Sequence, residues 1–335
     1  MRAFTVGRTE PGNSESPWRR GIVDAPLPDL GDGMVRISVE YSCINYKDGL
    51  ASSEKGRVAR RDPLVPGVDL AGTVVESKDP SVPVGTTVIA HGYDIGVSRH
   101  GGYAAYARVP AGWVVPLPAG MTLRESMILG TAGFTAALSV KRLEDRGLRP
   151  GDGPVLVTGA TGGVGSTAVN LLAGRGYEVW ALTAKADEHP WLSALGAAGF
   201  LSRADVPVEG APLEKERWAA VVDAVGAATL PYGLRTLRRG GTIALSGNAG
   251  GASFSTTVFP FILRGTAILG IDSAYMEIDE RRRLWARMAV EGDLRPRGLG
   301  ASDRVTEVGL DELEPAFDAI LAGGARGRWL VRVGA

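Results

Sequence analysis

Three stretches of this 335-residue chain carry side chains suited to chemistry. The first is VTGATGGVGST at 157–167, which follows an apolar run and opens a helix-forming one. Strand, glycine-rich turn and helix start in that order make a cradle for a pyrophosphate. Ala160, Thr161, Gly162, Gly163, Val164 and Gly165 let the backbone approach the ligand, and the helix N-terminus offers free N–H groups and partial positive charge. An ATP-type phosphate loop needs a Gly-Lys-Ser/Thr ending, and no lysine stands here. The second stretch ends the next apolar run, at Thr183, Ala184 and Lys185. An acidic residue about twenty positions past the glycines selects the ribose 2′-hydroxyl of NAD. A hydroxyl and an ammonium suit a 2′-phosphate instead, so the sequence predicts NADPH, while Asp187 keeps NAD open.

The third stretch is Asn45-Tyr46-Lys47-Asp48. Asn45 can hydrogen-bond a cofactor amide or a substrate carbonyl, Tyr46 offers a phenol as donor or general acid, and Asp48 can orient its neighbours. Asp69 stands inside the apolar run LVPGVDLAG, where a carboxylate without a partner is expensive to bury. The sequence therefore expects a partner for it, with Arg328 as candidate, in either a structural salt bridge or an active site. Lys55, Arg57, Arg60 and Arg61 make a dense basic cluster in SSEKGRVARRDP at 52–63, able to neutralise phosphates or simply to be solvated. The chain holds only six lysines against thirty-one arginines, so arginine clusters carry a general bias.

The elements that must position these residues fall into two kinds. From Val35 to Val115 short β-branched runs such as VRISVEY and LAGTVVE alternate with Gly and Pro turns, which predicts an antiparallel β-rich unit. After Met121, TLRESMILGTAGFTAALSVKRLEDRG is long, periodic and free of proline, and predicts a continuous helix. From Gly153 onward PVLVTG, YEVWALTA, WAAVVDAVG, GGTIALSG and TAILGID read as buried strands separated by helices, the pattern of a doubly wound parallel sheet. The ending LDELEPAFDAILAGGARGRWLVRVGA predicts a helix stopped at Gly323 and Gly324, then a strand returning to the first domain. The expected fold is α/β, with a β-rich domain over 1–126, a parallel-sheet domain over 127–273 and a return over 274–335. TAILGID is expected at a sheet edge, and pairing such edges across a two-fold axis would give a homodimer.

Composition narrows the function classes. Lys and Arg total 37 against 37 Asp and Glu, so there is no global attraction to a phosphate backbone or an anionic membrane. No apolar run approaches the roughly 20 residues of a membrane span, and MRAFTVGRTEPGNSES has no signal-peptide core, which together predict a cytoplasmic protein. Cys43 is the single cysteine, and only His91, His100 and His189 could add imidazole. Internal disulfides and a closed four-ligand zinc site are excluded, and no metal is expected.

CINYKDGL at 43–50, PLVPGVDLAGTVV at 63–75, GTAGFTA at 130–136, TGATGGVGS at 158–166 and LRRGGTIALSG at 237–247 together resemble the medium-chain dehydrogenase/reductase superfamily. Its members place a GroES-like domain before a Rossmann nucleotide-binding domain. Short-chain dehydrogenases share the glycine fingerprint, but they carry it near the N-terminus and use a Tyr-x-x-x-Lys pair that this chain lacks. NYKD, MILGTAGFTA, TGATGGVGSTAV, TTVFPFILRG and GRWLVRV are similar to the zinc-free acrylyl-CoA reductase group, whose members are often named quinone oxidoreductases. Gly67-Val68-Asp69 stands where zinc-dependent relatives have Gly-His-Glu, which deletes a metal ligand.

The resemblance implies NADPH-dependent hydride transfer to an activated carbon–carbon double bond, with acrylyl-CoA reduced to propionyl-CoA as the favoured reaction. A quinone or enone reductase and a non-catalytic NADPH-binding protein remain open. It implies catalytic roles for Asn45, Tyr46 and Asp48; Asp69 is a further catalytic candidate from its place in the apolar run, with a structural salt bridge as the alternative. For the cofactor it implies Thr131, Thr135, Gly247, Asn248 and Ser273 besides the phosphate turn, and Arg328 on the final strand is a further cofactor-binding candidate if it does not pair with Asp69.

Overall fold

The computed structural model describes residues 1–27, 29–291, 302–324 and 326–334 of the chain. The described residues form two compact units: one holds Met1–Thr131, Ser273–Val290 and Ser302–Ala335, and the other is built on Ala132–Asp272. Of the return expected over 274–335, residues 292–301 lie outside the described residues.

In the first unit β1 (Arg2–Arg8) and β2 (Trp18–Asp24) form a hairpin. A larger sheet is built around β3 (Met34–Ile44), an 11-residue strand whose burial alternates over its first half. That alternation is the period-2 signature of a strand with one face in the core. β3 is followed by the helix α1 (Tyr46–Ala51), then β4 (Asp69–Ser77), β5 (Thr87–His91), β6 (Tyr106–Pro110) and β7 (Val114–Pro116). β4 lies antiparallel beside β3, β5 beside β4 and β7 beside β5, while β6 pairs with the first half of β3. Val35, Ile37, Leu70, Val74, Val88 and Val114 fill the core on one side.

The helix expected after Met121 is α2 (Leu123–Asp145), and it is not continuous: Gly130 breaks it at φ 52°, ψ −157°. That region is open essentially only to glycine. A Cβ at Gly130 would stand 2.5 Å from Cys43 Sγ and 2.9 Å from Asp69 Oδ2. Periodicity carries no sign of this break, because the apolar spacing continues through it.

The second unit holds a six-stranded parallel sheet in the order β10-β9-β8-β11-β12-β13. Its strands are β8 (Val155–Thr158), β9 (Val179–Leu182), β10 (Ala197–Leu201), β11 (Trp218–Asp223), β12 (Leu237–Leu245) and β13 (Ala267–Gly270). Around them run α3 (Gly163–Gly174), α4 (His189–Ala194), α5 (Thr229–Thr236) and α6 (Phe259–Arg264). Counted within the unit, the strand order is 3-2-1-4-5-6, the doubly wound arrangement that leaves a ligand crevice where the order reverses, between β8 and β11. Both strands are fully buried, as their apolar sequences VLVT and WAAVVD require. β10, sequence AAGFL, was not legible as a strand, because it is short, small and only partly buried.

The chain completes the first unit with α7 (Ile278–Glu291), β14 (Val305–Val308), α8 (Leu313–Leu321) and β15 (Arg328–Arg332). β15 pairs antiparallel with the second half of β3, so the last strand does extend the first unit's sheet. Phe4, Leu64, Tyr103, Leu313 and Phe317 close a second core there. Among the described residues no helix is long and apolar enough to cross a membrane.

Candidate active site

Strand direction assembles the polar cluster of the first unit. β3 runs antiparallel to both β4 and β15, so the end of β3 meets the starts of the other two. That register gathers Cys43 and Asn45 with Asp69 and Arg328, and β5, antiparallel to β4, sets His91 opposite Asp69. The break at Gly130 delivers Thr131 to the same end of the sheet.

Asp69 is fully buried and makes the acceptor centre of the cluster. Its Oδ1 accepts the Thr131 hydroxyl at 2.6 Å and the Thr131 N–H at 3.0 Å. Its Oδ2 accepts Asn45 Nδ2 at 2.6 Å and the Cys43 thiol at 3.0 Å. The partner expected for Asp69 was Arg328, and the structure corrects this: no ion pair joins them among the described residues. Arg328 instead donates from Nε to the Ile128 carbonyl at 2.7 Å and from Nη2 to Cys43 Sγ at 3.2 Å. Neutral donors satisfy the carboxylate, and the guanidinium is left as a buried cation, 4% exposed, one thiol away. Burial first, and then the Asp69 charge, pushes the Cys43 thiol well above its ordinary range, so it acts as a donor and not as a nucleophile.

The same geometry fixes what Asn45 can do. Its amide nitrogen faces Asp69 Oδ2 at 2.6 Å and Asp48 Oδ2 at 3.3 Å. Both neighbours are acceptors, so the NH2 group points at them and Oδ1 is the atom left for a ligand. Asn45 can therefore accept from a ligand N–H, and it cannot donate to a substrate carbonyl.

Asp48 is a positioning residue for that turn. Its oxygens accept the N–H groups of Asn45 at 2.9 Å, Val68 at 2.9 Å and Gly67 at 3.2 Å, tying the start of α1 to the strand that carries Asp69. Burial pushes its carboxyl up to about 6, against the N–H donors that pull the other way. Tyr46 is the first residue of α1 and half-buried; Lys47 is exposed.

Sequence reasoning missed the group behind Asp69. Trp285 Nε1 donates to His91 Nε2 at 2.8 Å, so the ring proton belongs on Nδ1, which stands 3.3 Å from the Thr131 hydroxyl. Thr131 in turn donates to Asp69, which spends its proton inside the network. Arg281 Nη1 lies 2.9 and 3.0 Å from the two ring nitrogens of His91 and 3.0 Å from its carbonyl. Burial, then the Arg281 charge, holds His91 well below its ordinary pKa and neutral. Arg281 also donates to the Ser273 and Ala274 carbonyls, which is where the structure places Ser273. The available signal was faint: Arg281 and Trp285 are four apart on α7 and so share one face.

The second unit carries the remaining predicted residues. Gly162 caps α3, and a Cβ at Gly165 would overlap the Gly159 carbonyl, so the helix start packs directly on the turn. Ala160 and Thr161 are buried, and Gly162, Gly163 and Val164 are half-buried. Thr183 follows β9 and accepts the Lys185 N–H at 3.1 Å, with Ala184 exposed and Lys185 half-buried. Gly247 and Asn248 follow β12, and Thr135 lies buried in α2.

A further residue, unread in the sequence, holds the crevice. Asp223 ends β11 and accepts Thr158 Oγ1 at 2.7 Å, Thr229 Oγ1 at 2.6 Å and the Gly226 N–H at 2.7 Å, clamping β8 to β11 at the switch point.

Comparison with known proteins agrees with this architecture. Residues 31–119 match the alcohol dehydrogenase GroES-like domain and residues 163–289 the zinc-binding dehydrogenase family. YhfP of Bacillus subtilis, whose name places it among quinone oxidoreductases, is 49% identical over 91% of this chain and 92% of its own. The chain belongs to the medium-chain dehydrogenase/reductase family. Another relative, the acrylyl-CoA reductase AcuI of Ruegeria pomeroyi, is 46% identical over 92% of this chain and 93% of its own. The YhdH oxidoreductase of Salmonella enterica, solved with NADP, superimposes with a TM-score of 0.92 at 40% identity, covering 100% of both chains. A structure of YhfP carries NAD.

The zinc of other medium-chain dehydrogenases does not fit the residues present in this member. Val68 offers no ligand atom, and Arg328 Nη2 already stands 3.2 Å from the Cys43 sulfur, so a metal dication there would meet a fixed positive charge. Among the described residues no three His, Cys, Asp or Glu side chains gather into a metal-holding group. The GroES-like and Rossmann units expected from the sequence are both present in this family member.

Proposed function

We propose that this medium-chain reductase uses NADPH to saturate an activated carbon–carbon double bond, with acrylyl-CoA as substrate and propionyl-CoA as product. The observation that carries the reading is the buried cluster of Cys43, Asn45, Asp69, Thr131 and Arg328. It presents a fixed cation and a fixed acceptor without a metal donor set, which suits a substrate already polarised by conjugation and not an alcohol needing a Lewis acid. The likeness to AcuI, 46% identical, supports the thioester. The NADP-bound relative and Lys185 after β9 support NADPH.

When bound, the cofactor supplies a hydride. The turn 160–165 and the start of α3 would hold its pyrophosphate, Thr183, Ala184 and Lys185 its adenosine ribose phosphate, and Thr135, Gly247, Asn248 and Ser273 its nicotinamide half. Asn45 Oδ1 would accept from the cofactor's carboxamide N–H, and Asp69 and Asp48 hold the Asn45 side chain so it cannot turn. Arg328, held by the Ile128 carbonyl and the Cys43 sulfur, would supply positive charge to an electron-rich oxygen of a substrate bound there. Tyr46 is the candidate proton donor to the α-carbon.

The test is product analysis by mass spectrometry. Reductant deuterated at the transferring position should place deuterium on the β-carbon of propionyl-CoA, and reaction in deuterated water should label the α-carbon. Absence of propionyl-CoA would sink the substrate assignment. The relationship to YhfP favours a quinone as second reading; a quinone reduced while acrylyl-CoA is left untouched would select it.

A further inference from the structure

Loop 52–63 leaves α1 directly and carries Lys55, Arg57, Arg60 and Arg61. Lys55, Arg57, Arg60 and Arg61 are exposed, and among the described residues none of them has a carboxylate within salt-bridge distance. Most surface arginines elsewhere in this unit are neutralised: Arg2 pairs with Asp311, Arg20 with Glu314 and Asp318, Arg36 with Glu76, and Arg332 with Glu307. The loop's own acids are spent on Arg8, whose guanidinium pairs with Glu54 and whose N–H donates to Asp62 at 2.9 Å.

The loop is also held in place. A Cβ at Gly56 would overlap the Leu50 carbonyl, and the Arg60 N–H donates to the Val97 carbonyl at 2.9 Å. That second bond ties it to the segment carrying Arg99, which stacks over Trp113 and has no carboxylate partner among the described residues. The positive field is felt nearby: after burial, the charges of Arg61 and Arg108 push His100 down to about 4.

We propose that this loop binds the phosphates of the coenzyme A part of the substrate. The inference rests on the proposed thioester reduction. α1 begins at Tyr46, beside Asn45, and its six residues span about 9 Å, so the cations start one short helix away from the reacting end. A coenzyme A thioester has that form: a reactive acyl group at one end, a flexible neutral arm, and a cluster of phosphates at the other. Three of the four cations are arginines, whose planar forks match phosphate oxygens.

The experiment replaces Arg57→Asn, Arg60→Ala and Arg61→Ala together; asparagine is chosen because Arg57 sits at φ 53°. Steady-state kinetics then compare acrylyl-CoA with the acrylyl thioester of N-acetylcysteamine, which carries no phosphate. The expected result is a KM for acrylyl-CoA raised about tenfold, with kcat within about twofold and KM for the short thioester and for NADPH unchanged. Added salt should raise the native KM for acrylyl-CoA and leave the variant's nearly flat. An unchanged KM for acrylyl-CoA, equal shifts for both thioesters, or a rise in the NADPH KM instead would overturn the proposal. If the native enzyme reduces neither thioester, the proposed reaction has failed and the loop is judged by calorimetry with desulfo-coenzyme A. Binding that the triple variant loses supports the loop; no binding to the native protein overturns it.

Discussion

Replacing Asp69 separates the two things it does, which are to satisfy buried donors and to hold Asn45. Asp69→Asn keeps the shape and turns one oxygen into a donor. At the Oδ2 position the new NH2 would face Asn45 Nδ2 and the Cys43 thiol, two donors at 2.6 and 3.0 Å. At the Oδ1 position it would face the Thr131 hydroxyl, which can rotate to accept, and the Thr131 N–H, which keeps its 3.1 Å bond to the remaining oxygen Oδ2. The second orientation wins, so the variant keeps Asn45 in place and loses one strong hydrogen bond, a cost of about 2 kcal/mol with no cavity. Asp69→Ala strands every donor at once and should cost about 4 kcal/mol. Thermal melts followed by circular dichroism should show the alanine variant falling about twice as far as the asparagine variant. NADPH oxidation should follow the same order, with Asp69→Asn retaining most of its affinity for NADPH and Asp69→Ala losing it. Equal stability of all three proteins, or equal damage from both substitutions, would refute the role assigned to the carboxylate.

Other outcomes follow from single features of the structure. Lys185→Ala should raise the KM for NADPH about tenfold and leave that for NADH nearly unchanged; equal losses would remove its 2′-phosphate role. Tyr46→Phe should lower kcat about a hundredfold without weakening NADPH binding, and an unchanged kcat would make the tyrosine structural. Burial raises Asp48 from 3.8 to about 6, so the folded state holds that proton more tightly. Its stabilisation is full below about pH 4 and is lost as pH rises toward 6, by about 3 kcal/mol; urea unfolding of Asp48→Asn should lack that decline, and parallel curves would contradict it. In the second unit Phe259, Ile262 and Leu263 stand exposed on α6, with Val258 exposed just before it, and β13 is an edge strand, which favours a second copy as cover; light scattering should give twice the chain mass, and a monomer at micromolar concentration would exclude it.

What the sequence made legible follows from how far each signal reaches along the chain. Buried parallel strands such as VLVT and WAAVVD are local patterns, and the glycine turn after the first is fixed by its neighbours. Arg328 and Ile128 meet across 200 positions, and Arg281 and His91 across 190, through the packing of helices on strands that no periodicity reports. The need of Asp69 for a partner was readable from its apolar surroundings, but not that neutral donors would meet it. Asp223 looked like the end of an apolar strand, and only the parallel sheet shows it bridging β8 and β11. The Gly130 break was hidden for a related reason: what forbids a side chain there is a thiol and a carboxylate from distant strands.

The most direct test of the account is loss of NADPH absorbance by the purified, EDTA-treated protein, with acrylyl-CoA and benzoquinone offered separately. Undiminished turnover of the thioester is expected, with the quinone far slower. Turnover of the quinone alone, or activity that disappears with the chelator and returns with zinc, would contradict it.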